Sequence, residues 1–182
     1  MPDVRSPPCP SAPPPPPTRR TRPPPPPETL AYSFTLPASL ANPAFARTAT
    51  RQALRMHGLS DMLDPALQAV SELTATACQF TESPNYYLSL RYRAGTLRLI
   101  AYDSHPRHTQ PHLSTACDTR RHACLRLLAR ICRACDGSWG FGDSHEPGGG
   151  TRMWASLPRE GATAYGAGAE SPSNGGPVIR RA

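Results

Sequence analysis

Three groups of residues in this 182-residue chain have types and spacings suited to chemistry. The first lies in "SELTATACQF", Ser71 to Phe80, where Glu72 is followed four residues later, on the same helical face, by Thr76. A carboxylate with a hydroxyl one turn on reads either as one wall of a nucleotide and metal site or as the wet side of a helix. The second is Asp103, which closes the run "TLRLIAYD". Leu97, Leu99, Ala101 and Asp103 share one strand face, so the carboxylate ends a core-facing row and is either a cap for the next segment or a ligand contact. The third is sulfur and imidazole: Cys132 and Cys135 in "ICRACDG", with His105, His108, His112, Cys117, His122 and Cys124 upstream. Zinc takes four such ligands, often in close pairs. A second pair at standard spacing is missing, and Cys135 falls on an apolar helical stripe. Cys132 also sits toward the wrong end of its helix for an activated redox thiol. Cysteines acting as small hydrophobes are the simpler expectation, with a zinc-stabilised domain as the alternative.

These groups need elements to position them. "YSFTLP" reads as a short strand stopped by proline. Asn42-Pro43 then has the form of a helix start, with Phe45, Ala49, Ala53 and Met56 as the apolar stripe and Gly58 as the stop. Asp64-Pro65 starts a second helix whose buried stripe is Leu67, Val70, Leu73, Ala77 and Phe80. Glu72, Thr76 and Gln79 point away from that stripe. "YYLSLRYR" and "TLRLIAYD" alternate around Ala94-Gly95, a hairpin signal. "SHPRHTQPHLSTACD" lacks periodicity and reads as a long lid-like loop. A third helix over Thr119 to Cys135 and two closing strands, "SWGFG" and "TRMWASLP", complete the order; Trp139 and Trp154 are expected in sheet and core. This order predicts an α+β two-layer sandwich, a mixed, mostly antiparallel sheet with helices on one face.

Composition bounds the rest. Two blocks of five prolines, among 24 in the chain, cannot propagate a helix or a ladder, so residues 1–29 read as an extended arm. The small, polar tail from 161 to 182 reads as unfolded, leaving 30–160 as one domain. All 20 basic residues are arginine and the formal net charge is +7, which favours acidic partners, nucleotides included. The sequence lacks an aromatic-interleaved basic strip or a zinc-finger spacing, which argues against nucleic acid. No apolar stretch reaches membrane-spanning length and the N-terminus has no apolar secretory segment, so the expectation is a cytoplasmic protein with reduced cysteines and no membrane association.

The order of elements resembles the histidine-kinase-like (GHKL, Bergerat-fold) ATPase domain, in particular the small anti-sigma-factor serine kinases. "VSEL" followed by Ala77 is similar to that family's first nucleotide-box helix. "IAYDSHPR" is similar to its strand-end aspartate and loop, and "DGSWGFG" with "GGGTRMWASLP" to its closing strands. The resemblance implies an ATP-binding regulatory protein controlling a partner protein by binding or phosphorylation. In it Glu72 is the general base, Thr76 stands where an asparagine holds Mg2+, and Asp103 accepts from the adenine amino group. It extends to a sigma factor or an anti-sigma antagonist as partner, and to a homodimer. Two departures point the other way. Threonine replaces the metal-side asparagine, and "DTRRHACL" replaces a glycine-rich lid, so Arg120 and Arg121 would have to hold phosphates by side-chain charge. The alternative is a pseudo-enzyme that uses the sandwich as a nucleotide-free protein-interaction module.

Overall fold

The computed structural model describes residues 23–39, 41–106, 108–144 and 149–166. Among them, five strands form one sheet: β1 (Ala31–Pro37), β2 (Asn85–Arg93), β3 (Thr96–Asp103), β4 (Ser138–Asp143) and β5 (Thr151–Pro158). The spatial order is β1-β2-β3-β5-β4, and every neighbouring pair is antiparallel. The expected mixed sheet is therefore wholly antiparallel. Helices α1 (Asn42–Met56), α2 (Leu63–Phe80), α3 (Pro111–Cys124) and α4 (Arg126–Ala134) precede the short closing helix α5 (Arg159–Ala164). The architecture is an α+β two-layer sandwich.

Alternation sets the layers. Leu88 and Leu90 of β2, Leu97, Leu99 and Ala101 of β3, and Met153, Ala155 and Leu157 of β5 are all fully buried. They face the helices together with Ala69, Val70, Leu73 and Ala77 of α2. Interleaved positions such as Arg91, Arg98, Tyr102 and Trp154 occupy the opposite sheet face. The Ala94-Gly95 turn has positive φ at both residues, 49° and 73°, the geometry a two-residue hairpin requires.

Several expectations shift. Phe45 and Met56 are both 54% exposed, whereas Ala46, Thr50, Ala53 and Leu54 are buried, so the α1 stripe is rotated by one residue. Asn42 is not the cap residue; Ala41 is, and the Asn42 amide donates instead to the Pro37 carbonyl. The expected long loop after Asp103 ends at Gln110, because Pro111 starts a helix without needing an N–H donor. The single expected helix over Thr119–Cys135 is two helices divided at Leu125 (φ −91°, ψ 12°). Ordered structure also begins within the proline-rich segment. Pro27–Thr29 forms a 3-10 turn, and Glu28 Oε2 accepts from Ala94 N at 3.1 Å. The tail expected to be unfolded from residue 161 instead begins inside α5, with Ala162 buried; the first 22 residues of the arm and the tail beyond Gly166 lie outside the described residues.

β5 opens beside Asp103 through Gly150, whose φ is +91° and where a Cβ would lie 2.2 Å from the Asp103 carbonyl oxygen. Gly150→Ala is expected to destabilise the fold by about 1–3 kcal/mol, from backbone strain alone, measured by urea denaturation. An unchanged midpoint would contradict this close approach.

Candidate functional site

β3 delivers Asp103 to the helix side of the sheet at the strand's last position, and α3 passes over it carrying Arg121. Arg121 Nη1 donates to Asp103 Oδ2 at 2.6 Å and Nη2 to Oδ1 at 3.3 Å. Both side chains are essentially inaccessible, 2% and 0% exposed. The guanidinium also lies 4.0 Å from the Phe80 ring centroid and contacts Met153 Sδ at 3.1 Å. The backbone N–H of His105 donates to Asp103 Oδ1 at 3.0 Å. Burial pushes the Asp103 carboxyl above its ordinary value, while Arg121 and the His105 amide pull it down. The carboxylate is the charged partner here, because arginine does not surrender its proton and a neutral Asp103 would leave a buried cation unpaired.

The sequence-derived residues separate around this pair. Asp103 and Arg121 meet directly. Arg120, the residue before Arg121, is exposed and lies 5.2 Å from the Phe80 ring centroid. Glu72 is half-buried and makes no hydrogen bond or ion pair among the described residues. It precedes Phe80 by eight residues, roughly 12 Å along the helix axis. Thr76 was expected to point away from the core beside Glu72 and Gln79, yet it is only 2% exposed, so that polar face is interrupted where α2 is covered. Beside Arg121 lies a cavity of about 10 Å³, lined by His105, His108, Ser114, Cys117 and Thr151 among others, but by neither Glu72 nor Thr76. That is the room of about one water, far short of a purine ring. The partner that fills the Asp103 acceptor is thus the protein's own guanidinium.

The sulfur and imidazole groups also divide. Cys132 and Cys135 are fully buried in the core. Burial pushes the Cys132 thiol up to about 12 and raises Cys135 as well, as expected of cysteines used as small hydrophobes. His122 packs edge-on against Trp139 and Phe141. His105, His108 and Cys117, by contrast, converge, with one donor atom from each within 4.8 Å of the others. Sequence spacing did not single out this trio, because Cys117 reaches it only through the α3 turn that the sequence read as loop.

A further feature lies on the open sheet face. Arg91, Arg93 and Arg98 line a groove of about 390 Å³ with Ala94, Thr96 and Ser156. Arg98 stacks 5.6 Å from the Trp154 ring centroid, and none of the three arginines pairs with a carboxylate among the described residues.

No protein-family model matches the chain, and no curated protein matches it.

Burial alone raises the Glu72 carboxyl above its ordinary 4.5. The folded state therefore binds that proton more tightly than the unfolded state, and the wild-type protein gains stability as pH falls through the raised value toward and below 4.5. Glu72→Gln is expected to melt higher than wild type at neutral pH, with the gap closing as pH falls through this window. A gap that does not change with pH in thermal denaturation would contradict it.

Proposed function

We propose that this chain is a nucleotide-free protein-interaction module, built on a sandwich of the histidine-kinase-like type, that takes an acidic partner protein on the open face of its sheet. The observation that carries this reading is the buried Asp103–Arg121 pair. A strand-end carboxylate can read an adenine amine only if its acceptor oxygens are available. Here both oxygens are engaged by one guanidinium, and the cavity beside that arginine has the room of about one water. Opening it for a nucleotide would strand two buried charges, at a cost of several kcal/mol. The half-buried, unpartnered Glu72 and the buried Thr76 add no metal-phosphate wall to oppose that cost.

The surface assigned to recognition in this reading is the groove of Arg91, Arg93 and Arg98, with Trp154 stacked beneath Arg98. Three guanidinium forks without internal countercharge favour carboxylate-rich segments, and an adjacent indole supplies apolar contact area. In the terms of the resemblance, the partner is a sigma factor or its antagonist, regulated by binding rather than by phosphoryl transfer.

Calorimetric titration of the full chain with ATP and Mg2+ at millimolar nucleotide is expected to give no saturable heat. Saturable binding would overturn the reading and restore the roles of Glu72, Thr76 and Asp103 in nucleotide handling. For the groove, Arg91→Glu combined with Arg98→Glu is expected to abolish capture of the acidic partner while leaving the melting temperature within error of wild type, since both side chains are exposed. Undiminished capture by that variant would rule out the groove.

A further inference from the structure

After β3 the chain turns beneath α3 in a way that fixes His105 at both ends of its backbone. The His105 N–H donates to Asp103 Oδ1 at 3.0 Å, and the Thr151 hydroxyl donates to the His105 carbonyl at 3.0 Å. Its ring therefore has a defined place. Glu82 Oε1 lies 3.2 Å from Nδ1, which holds the proton on Nδ1 and leaves Nε2 as the free lone pair. Nε2 faces Cys117 Sγ at 3.5 Å. His108 packs edge-on against His105 with ring centroids 5.1 Å apart, bringing one of its nitrogens into the same cluster.

We propose that His105, His108 and Cys117 form a binding site for a divalent cation of the zinc class. Tetrahedral zinc, with its ordinary bond lengths to nitrogen and sulfur, sets a nitrogen–sulfur edge of about 3.6 Å. The His105–Cys117 separation of 3.5 Å matches that edge. Glu82 supplies the outer carboxylate that orients a metal-binding imidazole. The three residues border one cavity of about 10 Å³, room for a single small group among them. On binding, the cation takes the Cys117 sulfur as thiolate and the thiol proton leaves to solvent. The same cysteine, histidine and glutamate could be taken for a nucleophilic triad. However, Cys117 lies inside α3, where backbone N–H groups are consumed by helix bonds and supply no oxyanion donors; a triad also has no use for His108.

The site would fasten α3 to the loop after β3. Cys117 precedes Arg121 by one helical turn, so the cation holds in place the helix that carries the guanidinium onto Asp103.

Co2+ titration of the full chain tests this. The expected result is a thiolate-to-cobalt charge-transfer band saturating at about one equivalent with tetrahedral intensity, reversed by excess Zn2+. The band is lost in Cys117→Ser and kept in Cys124→Ser. Glu82→Gln keeps the band but binds roughly 10–100-fold more weakly. His108→Gln, tested alongside in case Cys117→Ser fails to fold, is expected to lose tight binding. No band in the wild type, a band that persists in Cys117→Ser, or unchanged affinity in His108→Gln would each overturn the assignment.

Discussion

A carboxylate at the helix-facing end of a central strand must find a countercharge or give up its charge, because the core offers no water to screen it. Asp103 finds Arg121, and much of the surrounding arrangement follows from that pairing. Arg121 can reach the strand only if α3 lies across the sheet's end. That position places the guanidinium against Phe80 of α2 and the sulfur of Met153 on β5. Gly150 then has to come close to the Asp103 backbone as β5 begins. Two helices and two strands are thereby tied at one point. A buried pair of this kind adds little or nothing to net stability compared with a well-packed apolar replacement, but removing one partner is costly. Its principal effect is to specify where α3 sits.

The pair also assigns work to the two faces of the sandwich. On the helix side it is an internally satisfied contact. On the other side, the strand positions that do not enter the core present arginine and aromatic side chains to solvent. In the function we propose, the open, arginine-bearing face is the one that receives a partner.

Much of the fold was legible because it rests on periodicity. The alternation of β2 and β3, the Ala94-Gly95 turn and the α2 stripe from Val70 to Phe80 each follow from spacing that only one kind of element satisfies. What escaped reading depended on tertiary context. Phe45 and Met56 look like core residues until the direction of the neighbouring helix selects Ala46, Thr50 and Leu54 instead. The division of α3 from α4 at Leu125 carries no proline or glycine to mark it. The basic and aromatic groups of the open face were invisible as a strip because they interleave across neighbouring strands, with Arg98 and Trp154 brought together by the β3–β5 register. At the candidate site, Asp103 could be singled out as a strand-end carboxylate, and Arg121 only as a lid charge for phosphates. That each is the other's partner follows only from the path of α3.

A double-mutant cycle on Asp103→Asn and Arg121→Gln, followed by urea denaturation at neutral pH, shows whether the carboxylate and the guanidinium act as one buried unit. If the two groups form one buried unit, each single change destabilises strongly and the pair shows a coupling of about 1–3 kcal/mol. Additive losses, with coupling indistinguishable from zero, would mean that the two side chains do not share a buried contact.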